Sequence, residues 1–109
     1  MGRRALPLQM DAMNLAEAYA AVDTAIAEFG RIDILVNNAG GGVEGWAEDA
    51  TEADFDLTID LNVKSSFFIS QRVMKHMKDT GGGRIINMAS QAGFIALPTE
   101  SIYCLAKAA

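Results

Sequence analysis

Tyr103 and Lys107 stand four residues apart in the closing stretch SIYCLAKAA. On a helix, positions i and i+4 share a face, so the phenol and the ammonium project into the same space. An ammonium beside a phenol favours the phenolate, because opposite charge stabilises the ionised form. A tyrosine tuned in this way can give or take a proton at a carbonyl or an alcohol. The same pairing is common on helix surfaces, so its meaning depends on what else the chain supplies. Three other polar groups stand where chemistry could happen: Asn37, Asn38, Ala39 and Gly40 (NNAG) after an apolar run, Asn62 in a long helix, and Ser90 at the end of GRIINMAS. Each has an ordinary structural reading too, Asn62 as a satisfied core amide and Ser90 as a turn former.

The elements that must position these groups follow from pattern. Ile32, Ile34, Leu35 and Val36 form a nearly continuous apolar run, as expected of a parallel strand buried on both faces. In an open α/β sheet, ligands bind at the carboxyl ends of such strands, which here is NNAG. A second such strand is predicted over Arg84–Ala89, after the turn Gly81–Gly83. Residues Ala5–Met10 read as a short strand, demoted to an edge by Pro7. Asn14 is predicted to cap a helix with Glu17 completing a capping box; Leu15, Ala18, Tyr19, Val22, Ala25, Ile26 and Phe29 line one side, and Gly30 ends it. Tyr19 on this helix reads as core.

The stretch GGGVEG satisfies G-x-G-x-x-G through Gly40, Gly42 and Gly45. The dinucleotide fingerprint needs those glycines to join strand to helix in one tight turn. Here the next helix waits until Thr51, whose capping box closes at Asp54, so the match reads as chance and the stretch as a mobile loop anchored by Trp46. A helix over Glu52–Lys78 follows, with Phe55, Ile59, Asn62, Ser66, Ile69, Val73 and Met77 on one face. Leu57, Leu61, Val63, Phe67, Phe68 and Met74 populate its other faces, which implies burial on more than one side. Pro98 and Thr99 are expected to start the final helix.

Composition narrows the function classes. A chain of 109 residues is one small domain or part of a larger one, and half its residues are hydrophobic. Fourteen acids against nine bases give −5 with no basic cluster, which argues against nucleic acid. One cysteine, Cys104, and one histidine, His76, exclude an internal disulfide and argue against a zinc site. His76, between Lys75 and Lys78, reads as solvated. The opening MGRRALPLQMD is too short in its apolar part for a signal peptide, and no run reaches membrane-spanning length. The expectation is a soluble, cytoplasmic protein.

Taken together, NNAG, the inward Asn62, Ser90 and a Y-x-x-x-K thirteen residues after the serine resemble the short-chain dehydrogenase/reductase family. The resemblance covers the chain from Asp11 to Lys107. It implies a partial Rossmann-like, doubly wound α/β fold over residues 1–109: three α/β/α layers, with parallel strands corresponding to the family's third, fourth and fifth. It further implies an NAD- or NADP-dependent interconversion of an alcohol and a ketone. Tyr103 would be the acid/base, Lys107 would support it and bind the nicotinamide ribose, and Ser90 would hold the substrate oxygen. Asn62 would hold a water through the helix backbone in a proton relay. Asp11 would contact the adenine with Ala12 beside it, and Asn37, Asn38, Ala39 and Gly40 would pack against the adenosine side. No metal is implied. Members commonly form homodimers or homotetramers.

The family's opening glycine-rich turn and closing substrate region have no counterpart here, so the chain is expected to be an internal fragment, weakly active or inactive. Its orphaned first strand would have to find a new partner. The alternative is a non-catalytic interaction module built on helix 52–78; a flavodoxin-like binding domain leaves Lys107 without a role.

Overall fold

The computed structural model describes residues 2–109. Two short strands, β1 (Ile34–Asn37) and β2 (Arg84–Asn87), pair in parallel with Ile34 opposite Arg84 and Asn37 opposite Asn87. The ladder extends a residue at each end, through Arg84 N–H to the Asp33 carbonyl and Met88 N–H to the Asn37 carbonyl. Parallel strands need a crossover, and the connection carries α2 (Glu52–Ile59) and α3 (Ser65–Asp79) between them. Before β1 runs α1 (Leu15–Phe29), and after β2 comes α4 (Ser101–Ala108).

The core lies between α1 and α3 on one face of this pair. Ala18 and Val22 meet Ile69, Val73 and Met77, and Ile26, Ile32, Leu35 and Ile85 pack against them. The side chains of Leu35 and Ile85 point into this cluster, so their neighbours point away. Ile34, Val36, Ile86 and Met88 are accordingly exposed, at 60%, 50%, 47% and 46%. The α/β, parallel arrangement is as expected, but the three layers are represented here by two: the strands expected to be buried on both faces have one bare face.

Ala5–Met10 form no strand. These residues are exposed without regular structure, because a strand exists only through its ladder partner, no third strand pairs among the described residues, and Pro7 offers no N–H. At the start of α1, Asn14 Oδ1 accepts the Glu17 N–H at 3.2 Å as expected. The reciprocal half differs, since Glu17 Oε2 accepts from Asp11 N–H at 2.7 Å instead of from Asn14. Gly30 ends α1 at φ 86°. Trp46 is no anchor, being 58% exposed. His76 is not solvated but half-buried, and its Nε2 accepts the Ile32 N–H at 3.4 Å.

The long helix is interrupted. Between α2 and α3 the backbone widens into a π-helical segment, Asp60–Lys64. The wider turn shifts the register of the inward stripe. Ile69, Val73 and Met77 are buried as expected, but towards the N-terminus Thr58 and Ser65 take the buried positions and Phe55 is exposed. Such segments are rare and frequent at functional sites. The final helix begins at Ser101, two residues after Thr99, which sits at φ 64°.

At the start of α2, Thr51 Oγ1 accepts the Asp54 N–H at 3.1 Å and Asp54 Oδ2 accepts the Thr51 N–H at 3.0 Å. The side-chain and then the backbone hydrogen bond of Thr51 hold the Asp54 carboxyl below its ordinary 3.8. A depressed folded-state value means that this contribution is complete above pH 3.8 and is lost as pH falls through the lower folded value. Asp54→Asn should therefore reduce the acid-side loss of stability in that window, read by circular dichroism melts against pH. An unchanged acid limb would count against the capping box as its source.

Candidate active site

The two strand ends are tied together by asparagines. Asn37 is buried, and its Nδ2 donates to Asn87 Oδ1 at 2.8 Å and to Ser70 Oγ at 2.9 Å. An amide nitrogen has two hydrogens, so both are used. This joins β1, β2 and α3 where the strands stop. Local pattern does not mark Asn87 and Ser70 as partners of Asn37. The available signal was the matching asparagine after each apolar run, Ile34–Val36 and Ile85–Ile86.

Asn62 lies in the π segment and its carboxamide acts as a strand partner for one residue of the loop after β1. Oδ1 accepts the Gly41 N–H at 3.2 Å, while Nδ2 donates to the carbonyls of Gly41 and, at 2.8 Å, Thr58. Its side chain is thus fully engaged in holding the loop. The other end of that loop is held too. Gly45 N–H donates to the Thr99 carbonyl at 2.8 Å, just before α4. Thr99 is β-branched in the left-handed region, a conformation costing about 1–3 kcal/mol that persists only when its surroundings enforce it.

Lys107, near the end of α4, reaches back to the strand end, its Nζ donating to the Met88 carbonyl at 3.0 Å. The same Nζ lies 5.7 Å from the centre of the Tyr103 ring. Gly40 closes the group: a Cβ there would fall 2.8 Å from Asn62 Oδ1 and 3.1 Å from Lys107 Nζ. Tyr103, Lys107, Asn62 and the NNAG backbone therefore meet where the strands end. Ser90 caps a short 3-10 turn, Gln91–Gly93, with its Oγ accepting the Ala92 N–H at 3.2 Å. The turn is pressed onto the last turn of α4, where a Cβ on Gly93 would fall 2.7 Å from the Lys107 carbonyl.

A cavity of about 450 Å³ adjoins this group between α3 and the end of α4, with Asn37, Asn62, Asn87, Met88 and Lys107 in its wall. Its size suits a small organic ligand. Tyr103 and Ser90 do not line it. Ala39 also lines it, while Asn38 is exposed and does not. Asp11 and Ala12 are not brought to it: Asp11 lines a separate cavity with Gln9, Met10 and Glu17, and its Oδ1 accepts the Met13 N–H at 2.9 Å. Among the described residues no cluster of His, Cys, Asp and Glu could hold a metal, and no helix is long and apolar enough to cross a membrane.

The chain matches the family model described as short chain dehydrogenase over residues 1–109. It is 45% identical over 97 residues to D-threitol dehydrogenase of Mycolicibacterium smegmatis, covering 89% of this chain and 37% of the relative. With the NAD-dependent glycerol dehydrogenase of Listeria innocua it shares 42% over 106 residues, 97% of this chain and 42% of the relative. A 7α-hydroxysteroid dehydrogenase solved with NADH and 7-oxo glycochenodeoxycholic acid superposes with a TM-score of 0.85 at 40% identity, over 90% of this chain and 38% of that one. ElxO with NADP bound gives the same TM-score at 29% identity, over 92% and 41%. The chain thus spans about two fifths of the length of these proteins.

Replacing Asn62 with Ala leaves the Gly41 N–H and carbonyl and the Thr58 carbonyl without their partner. Each unsatisfied buried group costs about 1–3 kcal/mol. The expected result is a lower melting temperature together with faster hydrogen exchange at the Gly41 amide. Unchanged exchange at Gly41 in a folded variant would show that the loop is held by something else.

Proposed function

We propose that this chain, which belongs to the short-chain dehydrogenase family, carries the proton-handling centre of an oxidoreductase that interconverts an alcohol and a ketone with NAD or NADP. The observation supporting this reading is the convergence of Lys107, Tyr103, Asn62 and the Gly40 backbone at the carboxyl end of a parallel strand pair. Strand ends of this kind are where open α/β sheets bind ligands. The residues fit a nicotinamide nucleotide on two counts. Gly40 keeps the strand end free of a side chain beside the ammonium, and Lys107 has N–H bonds to spare after its one to Met88.

When bound, the nicotinamide supplies or accepts the hydride. In carbonyl reduction Tyr103 gives its phenolic proton to the substrate oxygen; in alcohol oxidation it takes that proton back. Lys107, whose ammonium stands 5.7 Å from the centre of the Tyr103 ring, would bind the nicotinamide ribose. The Ser90 Oγ already accepts from Ala92, which leaves its O–H to donate to the substrate oxygen. Asn62 would contribute at its backbone, whose carbonyl, which accepts from Ser66 Oγ at 3.3 Å, would hold a water in a relay towards Lys107. Asn38 and Ala39 would hold the adenosine side of the cofactor, and Asp11 and Ala12 its adenine. The names of the D-threitol and glycerol dehydrogenases favour a small polyol or a related sugar as substrate. The acidic balance and single thiol fit a cytoplasmic setting.

A second reading, an association surface on the crossover helices and α4, is favoured by the exposure of Phe55, Leu57, Phe67 and Met74 on the crossover and of Leu105 on α4. The two readings are compatible, since the surface would assemble homodimers or homotetramers of the enzyme. They separate at Tyr103, whose loss affects chemistry and not association.

No described helix springs directly from a strand-end glycine turn, so the pyrophosphate lacks the helix N-terminus that favours it, and the 109 residues are expected to bind weakly and turn over little. Titration with NADH and NADPH, followed by nicotinamide fluorescence, should show weak but saturable binding. Lys107→Ala should weaken it by roughly 10–100-fold, the value of a charged hydrogen bond. Tyr103→Phe should leave binding in place and lower any polyol oxidation by about 10²–10⁴-fold. Binding insensitive to Lys107→Ala, or turnover indifferent to Tyr103→Phe, would overturn this assignment.

A further inference from the structure

The loop leaving β1 is pressed against Tyr103 at a glycine. A Cβ built on Gly42 would lie 3.0 Å from Tyr103 Cβ, 3.2 Å from Cδ2 and 3.4 Å from Cγ. Carbon atoms at optimal contact sit about 3.5–4.0 Å apart, so the Gly42 backbone meets the root of the tyrosine ring with no room for another carbon. The glycines on either side differ. At Gly41 the nearest atom would be Leu61 Cδ2 at 3.7 Å, and at Gly45 nothing lies within 4 Å. At Gly40 the crowding is with the tips of the Asn62 and Lys107 side chains, whereas at Gly42 it is with a Cβ fixed to a helix backbone. Gly42 is also not among the glycines at positive φ, which are Gly2, Gly30, Gly81 and Gly82. Its small size is what the position uses, not its backbone freedom.

Neither side of this contact is free to retreat. The loop is pinned at Gly41 by the Asn62 carboxamide and at Gly45 by the Thr99 carbonyl. Tyr103 belongs to α4, whose Ala106 is buried and whose last turn is seated on Gln91–Gly93. We propose that Gly42 is a positioning residue: the doubly pinned loop is a backbone wall that sets where the Tyr103 ring stands relative to Lys107, and glycine sets how closely that wall approaches. The functional meaning rests on the acid–base role proposed for Tyr103, but the packing does not.

The chain has two tyrosines, and Tyr19 on α1 serves as an internal reference. With ¹³C-labelled tyrosine, Gly42→Ala should move the Tyr103 ring resonances and lower the melting temperature, while leaving the Tyr19 resonances in place. Gly45→Ala, where a methyl meets open space, should move neither. Rescue is expected from Gly42→Ala combined with Leu61→Ala only if the loop rather than the contact were at fault, so restoration of the Tyr103 signal there overturns the proposal. Unmoved Tyr103 resonances in Gly42→Ala, or equal movement in Gly45→Ala, overturn it as well. Should Gly42→Ala not fold, the unsubstituted chain decides: an NOE between Gly42 Hα and the Tyr103 ring is required, and its absence is fatal. Failure of the nicotinamide titration would sink the functional reading and leave these resonances as they are.

Discussion

Two strands that run parallel must present their carboxyl ends on the same side, and everything at the candidate site descends from that requirement. Parallel pairing of β1 with β2 cannot be made by a hairpin, so the chain between them has to cross the sheet, and it does so as α2, the π segment and α3. The crossover packs Ile69, Val73 and Met77 onto α1 and onto Leu35 and Ile85. The same crossover brings Asn62 over the place where β1 stops and NNAG begins. The chain after β2 returns to that edge, which puts Lys107 within reach of the Met88 carbonyl.

Polar side chains then do the local fixing. Asn37 spends both amide hydrogens on Asn87 and Ser70, and Asn62 spends its whole carboxamide on Gly41 and Thr58. Among the described residues no buried side-chain nitrogen or oxygen is left without a partner. In a low-dielectric setting a fully satisfied network is rigid, and a partly satisfied one is costly. The site is therefore framed by amides that are structurally committed, leaving the phenol of Tyr103, the ammonium of Lys107 and the hydroxyl of Ser90 as the groups with capacity for a ligand.

What could be read from the sequence was what local pattern controls. The contiguous apolar runs before Asn37 and Asn87 announce parallel strands, and Asn14 and Gly30 bracket α1 because caps are short-range chemistry. Ala5–Met10 misled, since its apolar residues say nothing about whether a partner strand exists. The π segment was invisible because Asp60–Lys64 has ordinary helical composition; the widening comes with the tertiary tie between Asn62 and Gly41, 21 residues apart. Asn37 and Asn87 are 50 residues apart, so only the fold discloses their bond. The roles given to Tyr103, Ser90 and Asn62 came from the family resemblance, and the pattern alone would have left each with its ordinary structural reading.

The glycine run shows why a motif needs its context. Gly40, Gly42 and Gly45 match a phosphate-binding fingerprint in letters, yet β1 ends at Asn37 and the next α-helix begins at Glu52, so they cannot present a helix N-terminus to a phosphate in the way that fingerprint requires. Two of them are small for another reason: Gly40 makes room for Asn62 and Lys107, and Gly42 for Tyr103. Gly45 faces open space and serves through its backbone N–H. A loop this close to the side chains of Asn62, Lys107 and Tyr103 has to be nearly side-chain-free and still held in place. Pinning its backbone at both ends meets both demands, at the expense of a left-handed Thr99.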